Sequence, residues 1–317
     1  MKKIVSDKNF IFLVICFLLY GVIGLTGQES VTAVISRIVV MTLLALSFNV
    51  QFGFSGMVSL GHSIFFGAGG YTIVILMSKT SIPFVPAVIL SLVICCLIAL
   101  FIGIVCLKNP AAFTFLSYGL ALAILTAVGK WVWAGGPVGI TFQPLPSSLT
   151  GYRSAFFIIW IVAFICCLLL FLLTKTPFAQ MMLGNRENEE RLLFLGINTQ
   201  RLKQVIFTIR AMFASIAGMI YTFRNSGAYL SSLDTSISFQ VIIMCVLGGS
   251  GIFAGPIVGA LLITFIYNYI STVFPYYEGL MGVIILLIVF FLREGLISKE
   301  SPILRVFGRK EARNEAK

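Results

Sequence analysis

The chain has 317 residues; 59% are hydrophobic, only 10% are charged, and the mean hydropathy is +1.05. Soluble domains carry about 25% charged and roughly 45–50% apolar residues, so a soluble globular enzyme, a disordered chain and a nucleic-acid-binding domain are excluded. An outer-membrane barrel is excluded too, because its strands alternate polar and apolar residues. What remains is an all-α, polytopic transmembrane helical bundle. At about 20 residues per span plus loops, residues 1–317 hold roughly eight to ten crossings in a single membrane domain.

The net charge of +11 reads as the positive-inside bias of a membrane protein rather than as an acidic partner. The seven cysteines (16, 95, 96, 106, 166, 167 and 245) all lie in apolar runs without metal-ligand spacing. They read as small apolar residues of the core or the lipid face.

In chain order, a basic start, Met1–Lys8, precedes an apolar run from Phe10 to Leu25. The run ends without a clean small-x-small cleavage site, which favours a retained first span over a signal peptide. Apolar windows with at most one charge then predict spans at about Ala33–Gln51, Met57–Met77, Val85–Leu107, Ala111–Trp133, Ala155–Leu173 and Gln204–Phe223. The 37 residues Ile237–Val273 would reach about 55 Å as one helix, far beyond a hydrocarbon core of about 30 Å. Gly248-Gly249-Ser250-Gly251 and Gly255-Pro256 break the run, so it reads as two crossings joined by a glycine turn. A tenth span, about Tyr277–Leu292, precedes a basic tail over 293–317. Ten crossings put both termini on one side. That side collects 16 of the 22 Lys and Arg residues, which predicts cytoplasmic termini.

None of the eleven acidic residues lies in the middle of a predicted span. Ion-coupled carriers usually keep an intramembrane carboxylate, so an ion-driven secondary transporter is the weaker alternative. His62 is the only histidine, which leaves a metal site or a histidine relay without partners. It reads as a hydrogen-bonded polar residue near the cytoplasmic end of the third span, or as a polar contact lining a path. Arg37, Arg210 and Lys130 read as anchors at membrane ends, able to snorkel.

Residues 174–203 are too polar to insert. Pro177 suits a helix start. The run Arg186-Glu187-Asn188-Glu189-Glu190-Arg191 then leads into Leu192-Leu193-Phe194-Leu195, and Gly196 is placed to end that helix. A second turn, Asn198–Lys203, leads into the seventh span. A charged-then-apolar cytoplasmic helix of this kind fits a groove in a partner, and lying flat on the bilayer is the other reading.

Four stretches now become recognisable. They are Ala45–Asn49 with Gly53 and Gly56; Ser59–Gly67 with Gly70-Tyr71-Thr72; Thr176-Pro177-Phe178 with Arg186–Glu189 and Leu195–Asn198; and Leu247–Gly251 with Gly255-Pro256 and Gly259-Ala260. Together they resemble the inner-membrane permease family of branched-chain amino-acid ABC importers, the LivM type. The chain departs from that pattern at Leu192-Leu193-Phe194 and at Pro137 in the outer loop. The resemblance implies a permease that pairs with a homologous second permease, above two ATPase subunits, and receives solute from an extracytoplasmic binding protein. No G-x-x-x-x-G-K-[ST] motif is present, so ATP and Mg belong to the ATPase partners and this chain needs no cofactor or metal of its own.

The resemblance further implies that Arg186, Glu187, Asn188, Glu189, Leu193, Phe194 and Gly196 form the ATPase-coupling segment. Two glycine-broken stretches suit a translocation path, because broken backbone exposes dipoles to a polar solute. They supply Gly53, Gly56, Ser59, Gly61, His62, Gly67 and Tyr71 from the first half, and Gly248, Gly249, Gly251, Gly255 and Pro256 from the second. Close helix packing through small residues is the competing reading of any one glycine. The echo of Gly53-x-Ser55-Gly56 in Gly248-Gly249-Ser250-Gly251 suggests a distant duplication. Urea-type and other small polar solute permeases share much of the pattern, so they stand beside amino-acid import as substrate alternatives.

The topology is directly testable. A cysteine at Ser147 should react with an impermeant thiol reagent added to whole cells, and one at Asn188 should not; the reverse labelling pattern would invert the assignment.

Overall fold

The computed structural model describes residues 7–80, 82–109, 112–142 and 151–273, together with Gly279, Gly282, Val283 and Leu296. The tenth predicted span and the basic tail lie outside the described residues.

Eleven helices occupy the described chain. They are α1 Lys8–Thr26, α2 Glu29–Asn49, α3 His62–Ser78, α4 Phe84–Cys106, α5 Phe113–Lys130, α6 Tyr152–Leu173, α7 Pro177–Glu187, α8 Glu189–Phe194, α9 Thr199–Arg224, α10 Thr235–Gly248 and α11 Gly255–Val273. Seven of them, α2 continuing to Phe54, are long and apolar enough to cross a membrane. The chain is thus a polytopic helical membrane protein. The seven are joined by the shorter apolar helices α3 and α10.

Each helix boundary has a local cause. The Asp7 carboxylate caps α1 by accepting from the Asn9 N–H at 2.9 Å, and it also accepts from the Lys175 Nζ at 2.5 Å. That ion pair sets the start of α1 beside the end of α6. Asn198 caps α9 by accepting from the Arg201 N–H at 3.0 Å. The cap makes α9 one 26-residue helix, about 39 Å long, so the turn expected over Asn198–Lys203 is its first turn instead. α1, α4 and α5 turn large apolar side chains outward, among them Leu18, Val85, Phe101 and Phe115. In a bilayer this costs nothing, since lipid tails are as apolar as leucine.

The centre is built on α2 and α9. α3 crosses α9 so closely that side chains do not fit between them. A Cβ at Gly69 would overlap the Ser215 backbone, one at Gly70 would overlap the Thr222 hydroxyl, and one at Gly218 would overlap the Phe66 carbonyl. At the far end of the bundle, Ile140–Thr141 (β1) pairs antiparallel with Gly227–Ala228 (β2). This pairing ties the 131–142 loop to the segment that follows α9.

Two predicted spans differ in form. The third does not begin as helix at Met57; α3 starts only at His62. Residues 57–61 are non-helical, because Thr114 Oγ1 bonds the Val58 carbonyl at 3.0 Å and Ser117 Oγ accepts the Leu60 N–H at 3.1 Å. Non-helical backbone is tolerated at such depth where protein satisfies it. The eighth is a 14-residue helix, α10, about 21 Å long and short of a hydrocarbon core of about 30 Å.

The α3–α9 contact yields a prediction. Gly218→Val should lower the thermal midpoint of the detergent-solubilised protein, since overpacking costs about 1–3 kcal/mol. Gly119→Ala, with nothing within 4 Å of its added methyl, should leave the midpoint unchanged or raise it.

Candidate functional site

At the bundle end that carries α7 and α8, two glycine-rich breaks meet. α2 does not stop at Asn49 but loosens into a π turn over Val50–Phe54. The Asn49 side chain lies across to the α10–α11 turn. Its Oδ1 accepts from the Gly251 N–H at 3.1 Å, and its Nδ2 donates to the Ile252 carbonyl at 3.1 Å. Gly53 and Gly251 sit backbone to backbone, and a Cβ at Gly53 would overlap both the Asn49 amide and the Gly251 nitrogen. Gly251 has φ +82 and Gly249 φ +110, values that favour glycine. The two stretches that echo each other in sequence are therefore in contact in space.

α7 fastens onto the same point. Arg186 Nη1 donates to the Gly53 carbonyl at 2.6 Å. Asn185 Nδ2 donates to the Ser55 carbonyl at 3.0 Å and to Ser55 Oγ at 3.1 Å. Gly56, at φ +74, passes under the Arg186 side chain, where a Cβ would come within 3.0 Å of Cγ. Arg186, expected in the ATPase-coupling segment, thus gives one donor to its own chain while the residue stays exposed. A cavity of about 340 Å³ opens beside these residues, lined by Ser55, Gly56, Asn185, Arg186, Glu189 and Lys203 among others.

The single helix expected before Gly196 is two. Asn188 leaves helical geometry (φ −162, ψ 104), ends α7, and accepts from the Arg191 N–H at 3.0 Å to cap α8. Gly196 has φ +79. Its N–H reaches the Leu193 carbonyl at 2.9 Å, and the Ile197 N–H reaches the Leu192 carbonyl at 3.1 Å. This pair of bonds is a Schellman ending. Leu192 faces inward, whereas Leu193, Phe194 and Leu195 are 54%, 90% and 71% exposed. Glu187 is exposed beside them.

The candidates for the path divide. Gly56 lines the cavity. Ser59 is buried, accepting the Gly61 N–H at 3.3 Å, and Gly61 lies against the Ser117 carbonyl. Gly67 presses on Leu233, and Gly248 on the Gly255 backbone. Pro256 is buried in the first turn of α11, and Tyr71 is buried with an unpartnered hydroxyl. In this chain Gly67, Gly248 and Gly255 are thus close-packing residues.

His62 is fully buried and opens α3. Arg210 Nη1 lies 2.9 Å from its Nδ1. A guanidinium only donates, so Nδ1 accepts and the proton sits on Nε2, facing Ser47 Oγ at 3.1 Å and the Leu44 carbonyl at 3.3 Å. Arg210 is not the membrane-end anchor expected. It lies about three turns inside α9, fully buried, over the Phe207 and Phe65 rings at 4.4 and 5.2 Å. Arg37 also departs from the anchor reading. It is partly covered two turns inside α2, with its guanidinium 4.7 Å over the Tyr267 ring.

Sequence reasoning passed over Asn49, Asn185 and Lys203. Asn49 stands out in the sequence only as the end of the stretch Ala45–Asn49, and Asn185 directly precedes Arg186, but nothing local tells an amide that bridges segments from one that faces water. Lys203 is buried and donates to both Glu189 carboxylate oxygens at 2.6 Å, clasping α8 to α9. Partial burial pushes the Glu189 pKa up, but the Lys203 ammonium outweighs it and the net position is below the ordinary carboxyl value. The clasp is therefore fully formed above the ordinary value and is lost as pH falls through the lowered one. Hydrogen-exchange protection over 189–196 should drop up to about fivefold across that acid range, as suits a half-exposed ion pair. Glu189→Gln should start low and show no such step; a step retained in the variant would assign it to another group.

No solved structure matches this chain. Residues 30–291 match the family described as "Branched-chain amino acid transport system / permease component". The chain is 26% identical over 294 residues to the high-affinity branched-chain amino acid transport system permease protein LivM of Escherichia coli (strain K12), covering 83% of this chain and 69% of LivM. It is 23% identical over 300 residues to the autoinducer 2 import system permease protein LsrC of Photorhabdus laumondii, covering 86% and 83%. It is 22% identical over 310 residues to the ribose import permease protein RbsC of Haemophilus influenzae, covering 90% and 92%. With most of its length matched and a polytopic helical fold, the chain belongs to the family of the permease component of branched-chain amino acid transport systems.

Proposed function

We propose that this chain is the membrane permease of an ATP-driven ABC importer in a bacterial inner membrane, with cytoplasmic termini. Its solute is a branched-chain or related amino acid. It forms the translocation path with a second, homologous permease, takes solute from an extracytoplasmic binding protein, and is driven by two ATPase subunits that hold ATP and Mg. The chain performs no chemistry itself.

The observation that carries this reading is the build of α7 and α8. An apolar tip, Leu193-Phe194-Leu195, is held out into the surroundings by a glycine-ended helix. The same segment is bonded through Arg186 and Asn185 to the break in α2, and Asn49 of α2 is bonded in turn to the α10–α11 turn. A push on the tip is thereby delivered to three helices at once. That is what a permease needs from an ATPase seated beneath it.

Amino-acid import is favoured by the family's description and by the LivM relative, while LsrC and RbsC keep sugar-like solutes as the second reading. The test of the coupling assignment uses the assembled importer. A buried apolar side chain is worth about 1.5–3 kcal/mol and an exposed ion pair about 0–1 kcal/mol. Phe194→Asp should therefore weaken ATPase co-purification by tenfold or more, and Glu190→Ala should leave it within about fivefold. Both variants should insert in the membrane normally. Full ATPase binding and uptake by Phe194→Asp would mean that the tip serves the lipid surface instead.

A further inference from the structure

A second cavity, of about 190 Å³, lies at the opposite end of the bundle, between α2, α9 and α11. Its lining includes Ser36, Arg37, Tyr221, Arg224, Asn225 and Asn268. Arg37 and Arg224 thus line one small space, with no carboxylate among its described lining residues. The ion pairs among the described residues are Lys175–Asp7 and Lys203–Glu189, and neither arginine takes part in them.

The other polar groups of the lining are partly spent inside the chain. Ser36 Oγ donates to the Thr32 carbonyl at 2.7 Å, and Asn268 Nδ2 donates to the Thr264 carbonyl at 3.1 Å. Arg37 Nε is buried and has no hydrogen-bond partner. The guanidinium carbon of Arg37 lies 4.7 Å from the centroid of the Tyr267 ring, a cation–π contact that does not consume the Nε–H. A positive charge held two turns inside a membrane helix is costly unless something neutralises it. The planar fork of an arginine matches a carboxylate through two parallel hydrogen bonds.

We propose that this cavity is a binding subsite for the carboxylate of a small solute, with Arg37 and Arg224 as its cationic partners. Resting on the importer reading, it narrows the substrate class to carboxylate-bearing solutes such as amino acids, against ribose-like or urea-like neutral ones. It also gives the solute a station at the end remote from α7 and α8, before the glycine knot. The cavity's size suits the head of an amino acid rather than a protein loop.

Saturation-transfer NMR tests this on the whole purified chain in lipid nanodiscs, with no ATPase or binding protein present. The probes are L-leucine, L-isoleucine and L-valine, their amides, which lack the negative charge, and D-ribose. At least one free amino acid should give transfer, with its amide and ribose at least tenfold weaker. Arg224→Gln should weaken the amino acid tenfold or more without moving the thermal midpoint. Arg37→Lys, which keeps the charge but loses the fork, should weaken it by less. Equal transfer from acid and amide would overturn the subsite, as would binding indifferent to both substitutions. Absence of transfer from every carboxylate probe would also overturn it, and would leave the arginines to an acidic side chain of a docked protein. Failure of ATPase co-purification would instead strike the importer reading, without touching this result.

Discussion

The structure hangs on a backbone-to-backbone contact with no room for a methyl group. Gly53 and Gly251 touch, and the Asn49 amide closes over them with one accepted and one donated hydrogen bond. A primary amide can do both at once, which a carboxylate or an ammonium cannot. The contact joins the end of α2, the α10–α11 turn and, through Arg186, the end of α7 into one unit. Everything proposed about coupling follows from that unit being stiff, because a compliant joint would absorb the motion it is meant to pass on.

Above this joint lies a second polar centre of different character. His62, Ser47 and Arg210 form a chain of hydrogen bonds in an otherwise aromatic and aliphatic interior. It joins the first residue of α3 to the middle of α9. The non-helical segment over 57–61 needs such a clamp, since its own backbone supplies no helical hydrogen bonds to hold it in register.

The helical, many-span character of the chain was legible from composition, since few architectures tolerate so little charge. The long spans were legible because burial in lipid demands uninterrupted apolar runs, and Gly196 because only a left-handed helix ending makes a glycine useful there. The re-entry over 57–61 was not legible: Met57-Val58-Ser59-Leu60 is apolar enough to pass for helix, and its partners Thr114 and Ser117 lie some 56 residues away. Arg37 and Arg210 misled for a related reason. Distance from a hydrophobic window's edge says nothing about whether a neighbouring helix covers the side chain. The path glycines were flagged as a group, but only tertiary contact distinguishes Gly56 beside a cavity from Gly67 beneath Leu233.

The shortness of α10 bears on electrical work. A helix of about 21 Å in a hydrocarbon layer of about 30 Å is met by a locally thinner bilayer or by water entering over its end. Were the transmembrane voltage to fall across that thinner septum, the field along α10 would be steeper than in the surrounding lipid. A solute carrying one net negative charge would be opposed by about 2.3 kcal/mol per 100 mV on its way to a negative interior. A zwitterion, with its carboxylate balanced by its own ammonium, crosses the same septum with no net electrical cost, so the voltage itself sorts amino acids from simple anions.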